Sequence, residues 1–188
     1  MAVGYLTEQN INIARGLIRG ATVIHKFGRN PNIGGVPETI WEQGGVYTYL
    51  TVASTVYVSG ADAQDSAAGT GARTVTVQGL DANYNAIEET LTVDGAVSTK
   101  SFLRVFRAFV ASAGSLQTNK GTVVISTGAS GAGTVLATIA TIGTGTVYGQ
   151  GQTNLSFYTI PAGKTGYLTN WNVAVSYTHL TLPTKRIV

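Results

Sequence analysis

The stretch Arg73–Gly95, RTVTVQGLDANYNAIEETLTVDG, constrains the fold more than any other part of the chain. Two runs in it alternate apolar and polar residues. In the first, Val75 and Val77 fall on one face, Thr74 and Thr76 on the other. In the second, Ile87, Leu91 and Val93 oppose Glu88, Thr90 and Thr92. A period of two is the signature of a strand with one buried face. The intervening DANYN suits a turn, because Asp and Asn side chains hydrogen-bond their own backbone. The pair is expected to form a β-hairpin with a longer loop.

The same texture recurs from Pro37 onward. VYTYLTV, STVYVSG, GTVVIST, TVLATIATI, LSFYTIP and GYLTNWNVAV are short and rich in β-branched and aromatic residues. GASGAG, GTGT, YGQGQ and PAGKTG separate them as turns. FLRVFRAFVAS fits two patterns. Phe102, Val105, Phe106 and Phe109 have helical spacing, but composition and length favour a strand buried on both faces. The expectation is an all-β fold: a β-sandwich or jelly-roll-like domain over residues 37–174. An extended N-terminal arm over residues 1–36 precedes it. There Ile11, Ala14, Leu17 and Ile18 have helical spacing, yet Gly16 and Gly20 weaken a helix.

A length of 188 residues suits one such domain with an arm. Cysteine is absent, which removes disulfides and thiolate metal sites. No apolar run reaches the length of a membrane span, so no membrane partner is expected. The first twenty residues lack the pattern of a secretory signal. The formal charge of +3 sits at the ends. Residues 1–30 hold four cations against one acid, residues 31–174 six against eight, and the last fourteen residues two against none. A basic end can reach an acidic partner or nucleic acid, but this density is ordinary for a solvated arm. Nucleic acid is not expected as a partner.

Several motifs invite a chemical reading. Gly163-Lys164-Thr165 in PAGKTG matches the end of a phosphate-binding loop, but Tyr158 stands where that motif needs glycine, and no helix follows. A tight turn accounts for it better. Asp81, Asn83 and Asn85 alternate like the start of a calcium loop, but Ala86 and Thr92 occupy its glycine and glutamate positions. Asp62 and Asp65 are two carboxylates on a small-residue loop, which is slight evidence for a cation. His25 has no acid or nucleophile nearby in sequence, and His179 lies in the tail. Glu88 and Glu89 are adjacent on a strand and so point to opposite faces. Arg104 and Arg107 flank phenylalanines but fall on opposite strand faces, which argues against a nucleic-acid stacking platform. The expectation is a chain that is not an enzyme, with no catalytic, cofactor-binding or metal residues and no cofactor. Tyr167 and Trp171 could stack on sugar, but with Val173 they form a period-two apolar face that reads as core.

Five segments in order carry a resemblance: KFGRNPNIGG, ETIWEQGGVYTYL, GTGARTVTVQGLDANYN, SFLRVFRAFV and YTIPAGKTGYLTNW. Over about residues 20–173 the chain resembles a family of tailed-bacteriophage virion structural proteins that itself has no assigned role. The resemblance implies a particle component: a capsid decoration or minor head protein, a neck protein, or a fibre-like attachment. It implies a homo-oligomer that contacts other virion proteins, assembled in the bacterial cytoplasm and located in the virion. It brings no catalytic residues. A carbohydrate-binding attachment module is the alternative, with a host-surface glycan as partner.

The last fourteen residues, VSYTHLTLPTKRIV, are expected to be non-native. Val175–Thr184 resembles the translation of a sequencing-library adapter, with KRIV following from appended sequence. On this expectation the natural chain continues past Ala174, its last strand has an open edge, and the tail packs poorly.

Overall fold

The computed structural model describes residues 9–142 and 148–174. The non-native tail expected at 175–188, with His179, Lys185 and Arg186, lies outside the described residues. The first described element is a short helix, α1 (Gln9–Ala14). Hydrogen bonds from Gly16 N to Ile13 O (2.9 Å) and from Leu17 N to Asn12 O (2.9 Å) close it in a Schellman arrangement. The helical spacing of Ile11 and Ala14 is thus realised for one and a half turns and stopped where glycine begins. Residues 21–30 then run without regular structure.

Among the described residues eight strands follow: β1 (Tyr57–Gly60), β2 (Ala72–Leu80), β3 (Ala86–Thr92), β4 (Arg104–Ala113), β5 (Val123–Ser126), β6 (Val135–Ile139), β7 (Thr141–Ile142) and β8 (Tyr148–Gly149). They form two three-stranded antiparallel sheets, ordered β1-β5-β6 and β3-β2-β4, and a small β7-β8 ribbon. The fold is all-β, as the alternating runs imply. Both larger sheets feed one core. Val58, Val123, Ile125 and Ile139 come from one, and Val75, Val77, Leu91, Val105 and Ala108 from the other. Phe102, bridged to Ser54 beside the sheets, is fully buried among them.

The expected hairpin is present. Val75 faces Leu91 and Val77 faces Glu89 across β2 and β3, and residues 81–85 form the turn. The partner strand β4 departs from simple alternation. Gln78 faces Arg107, but Gly79 faces Val105, so Phe106 has no opposite residue and forms a β-bulge. The bulge rephases the strand. Val105 and Ala108, three apart, both turn into the core and are buried. Gly79 is required beside it: a Cβ there would meet the Arg104 carbonyl oxygen at 2.0 Å.

Four strand expectations are corrected. FLRVFRAFVAS is a strand, but one face of it is not core: Arg107 is exposed, and Phe106 and Phe109 are only half-buried. VYTYLTV forms no strand. Its Tyr47 instead donates its hydroxyl to the Leu136 carbonyl (3.0 Å), and its backbone N–H goes to Thr39 Oγ1 (3.0 Å). Tyr47 also packs edge-on against Trp41 (4.9 Å) and against Phe157 (4.3 Å). Burial of its phenol raises its pKa well above the ordinary tyrosine value. LSFYTIP and GYLTNWNVAV form no strand either: residues 154–174 carry no ladder among the described residues.

Candidate functional site

The carboxylates that resemble ion ligands in sequence are occupied by the chain itself. Asp65 is fully buried. Its Oδ1 accepts hydrogen bonds from Ala72 N (2.7 Å) and Lys120 N (2.8 Å), and its Oδ2 from Gly121 N (2.6 Å). It fastens the 61–71 loop to the start of β2 and to the approach to β5. Asp62 Oδ1 accepts the Gln64 N–H at 2.9 Å, a local turn. Asp81 closes the DANYN turn. Its Oδ1 accepts from Asn83 N (2.8 Å) and Asn85 N (2.9 Å), and its Oδ2 from Asn85 Nδ2 (3.2 Å). The hydrogen bond from Asn85 N leads the effects that hold its carboxyl below the usual range, against a smaller opposing effect of burial. Among the described residues, no three His, Cys, Asp or Glu side chains cluster as a metal site.

The glutamates separate as a strand requires. Glu88 Oε2 accepts from Gln78 Nε2 (3.0 Å) across the hairpin. Glu89 collects Thr99 N (2.8 Å), Thr99 Oγ1 (3.0 Å) and Lys100 N (2.9 Å). Burial pushes the Glu89 carboxyl up, but these hydrogen bonds and the Lys100 charge outweigh it and hold the pKa low. In PAGKTG, Lys164 N donates to the Pro161 carbonyl (3.2 Å) and Gly163 adopts φ +69°, so the segment is a turn. It docks on the hairpin loop through Ala162 N to Tyr84 O (2.9 Å). His25 is exposed beside Phe27, with ring centroids 6.3 Å apart.

Arg104 and Arg107 are not on opposite faces. Arg104 stands opposite Leu80 and Arg107 opposite Gln78, two positions of equal parity on β2. The extra residue at Phe106 brings them to the same side of the sheet, which simple counting misses. Their surroundings differ. Arg104 Nη1 donates to the Leu50 and Leu103 carbonyls (2.8 Å each), and its guanidinium lies over Tyr49 (5.0 Å) and Tyr84 (5.7 Å). Arg107 lies over Phe109 (4.6 Å) and makes one hydrogen bond, to Gln152 Oε1 (3.2 Å).

The largest departure from expectation is the segment 160–174. Tyr167, Leu168, Trp171 and Val173 are 85%, 83%, 78% and 64% exposed. The period-two face read as core is therefore in water, as is Leu168 on the other parity. Up to Phe157 the chain is anchored: Ser156 N reaches Ile40 O (3.2 Å), and Phe157 packs on Tyr47. Beyond the Pro161 turn it presents four large apolar side chains in fewer than ten residues. The sequence signal for this was available as the same alternating stripe. A stripe identifies a face that wants cover, not the element that covers it.

No protein-family model, curated protein or solved structure matches this chain. Among the described residues, no helix is long and apolar enough to cross a membrane.

Proposed function

We propose that this chain is a non-enzymatic structural component of a tailed-phage particle, a capsid decoration, minor head or neck protein, acting through β-rich interfaces between copies. The observation that carries the reading is the exposed apolar segment 160–174. Removing apolar surface from water stabilises by roughly 25 cal/mol per Å², and contiguous exposed apolar side chains mark interaction surfaces. An all-β body with a projecting apolar segment can assemble by adding that segment to a neighbour, and symmetric copies then cover one another's segments. The resemblance to virion structural proteins supplies the setting.

Sedimentation velocity and mass spectrometry of gradient-purified particles test it. The expected results are an oligomer that Tyr167→Ser/Trp171→Ser converts to monomer, and the chain in the particle band at a fixed copy number. A monomeric wild type, or recovery only as free protein in infected cells, overturns the reading. The exposure of Tyr167 and Trp171 also favours a second reading, a fibre-like or carbohydrate-binding attachment module, since free aromatic faces stack on sugar rings. Binding above background on a host-glycan array, lost in the same double variant, supports it; a blank array removes it.

A further inference from the structure

The bulge at Phe106 does more than rephase β4. Its carbonyl accepts a hydrogen bond from the Lys26 ammonium, eighty residues away in sequence. Lys26 and Arg107 line a cleft of about 240 Å³ with His25, Gln78, Phe106 and Tyr158. Phe106 and Tyr158 form one wall, with ring centroids 4.7 Å apart.

The charge balance of this cleft is unusual. Lys26 is half-buried and faces a second cation. Burial, and after it the Arg107 charge, push the Lys26 pKa down to about 8. Among the described residues the ion pair formed is Arg29–Glu42, and neither Lys26 nor Arg107 has a carboxylate partner. Glu88, the acid tied to the cleft wall through Gln78, is engaged across the hairpin. Arg107 spends one hydrogen bond on Gln152 and keeps donors free. Burial sets the Tyr158 phenol above its ordinary pKa, so it stays protonated and able to donate. Two cations drawn together in a partly desolvated cleft repel each other, and an anion between them relieves both effects.

We infer that the Lys26–Arg107 cleft binds a small carboxylate ligand of the size of a single sugar acid. A planar carboxylate matches the fork of a guanidinium, with the ammonium as a point charge beside it. The aromatic wall of Phe106 and Tyr158 offers a face to a carbon ring. The cleft is smaller than the pockets that hold drug-sized ligands, which limits the ligand to one ring. The site lies outside the 160–174 segment and does not depend on assembly.

Competitive acetylation with trace acetic anhydride, read by mass spectrometry across a pH series, measures the reactivity and pKa of Lys26. Exposed Lys164 serves as the reference amine. D-glucuronate is the probe, with D-glucose and inorganic phosphate as the other arms. Glucuronate is expected to raise the Lys26 pKa by about one unit or more and to slow its acetylation several-fold at pH 8, with glucose inert. Arg107→Gln is expected to abolish the shift while the circular dichroism spectrum stays that of the wild type. Lys26→Met, in calorimetry, is expected to lose the heat of glucuronate binding. An unmoved Lys26 across a millimolar glucuronate series overturns the proposal. So does equal protection by glucose, or protection by phosphate without protection by glucuronate.

Discussion

Asp65 and Asp81 look alike in sequence: each sits in a small polar loop beside the hairpin, and each could be drawn as an ion ligand. In the fold both carboxylates accept three hydrogen bonds from the chain. The difference is where the donors come from. Asp81 gathers donors within four residues of itself, at the surface, and shapes one turn. Asp65 reaches three backbone N–H groups up to 56 residues away and is fully buried. The same chemistry is local grammar in one case and a tie between distant segments in the other.

Breaking the tie separates them most sharply. Asp65→Ala leaves three inward backbone donors unmet and is expected to destabilise by about 3–5 kcal/mol, read as a lowered urea midpoint. A loss no larger than that of Asp81→Ala would erase the distinction. Asp65→Asn is expected to fall between, since it keeps one acceptor oxygen and turns an amide N–H₂ toward donors.

The next effect is on pH dependence. Carboxyls whose pKa is depressed by folding contribute stability that is present above the unfolded value and lost as pH falls through the folded one. For Asp81, with an ordinary value of 3.8, and for Glu38 and Glu89, with 4.5, the loss is expected below about pH 4. Glu38 belongs here because Asn30 Nδ2 leads its pKa lowering, followed by Gly45 N and Gly34 N. Asp81→Asn is expected to flatten part of that acid limb in thermal melts at pH 3–5. Lys26 acts with the opposite sense. Its folded pKa is lowered from 10.5 to about 8, so the unfolded chain binds more protons between those values, and stability rises with pH across them. Lys26→Met is expected to remove that rise; a rise that persists in the variant assigns it elsewhere.

The smallest effect is expected from calcium. Both aspartates already accept three hydrogen bonds, so millimolar calcium should leave the melting temperature unchanged. A calcium-dependent increase that disappears in Asp81→Asn would make the turn an ion loop after all.

How much of this was legible follows from what each signal encodes. The alternation at Thr74–Val77 and Ile87–Val93 reports strand and buried face together, and the hairpin register follows from it. In FLRVFRAFVAS the apolar residues are dense enough to fit either parity, so nothing marked Phe106 as the extra residue. The shared side of Arg104 and Arg107, and the cleft with Lys26, were hidden with it. Aromatic content raises strand propensity, so Tyr47 looks like a strand residue in sequence; its bonds run between side chain and backbone, which propensity does not describe. Tyr167 and Trp171 look like core in sequence because a stripe implies a face to be covered, whereas both are exposed. Asp65 stands out in sequence only as a loop carboxylate; nothing marks it as a tie, since its partners are backbone groups at positions 72, 120 and 121.

The bulge at Phe106 also acts as a change of phase within one strand. Residues before it and after it are read in different frames against the same partner, β2. Deleting that single residue would return β4 to simple alternation at this point. Val105 would stay opposite Gly79 and Arg107 opposite Gln78, so Ala108 would still turn inward and Phe109 outward. What the strand would lose is the carbonyl that accepts the Lys26 ammonium and the ring that packs on Tyr158. The extra residue is dispensable to the ladder, and its use lies in the cleft it walls.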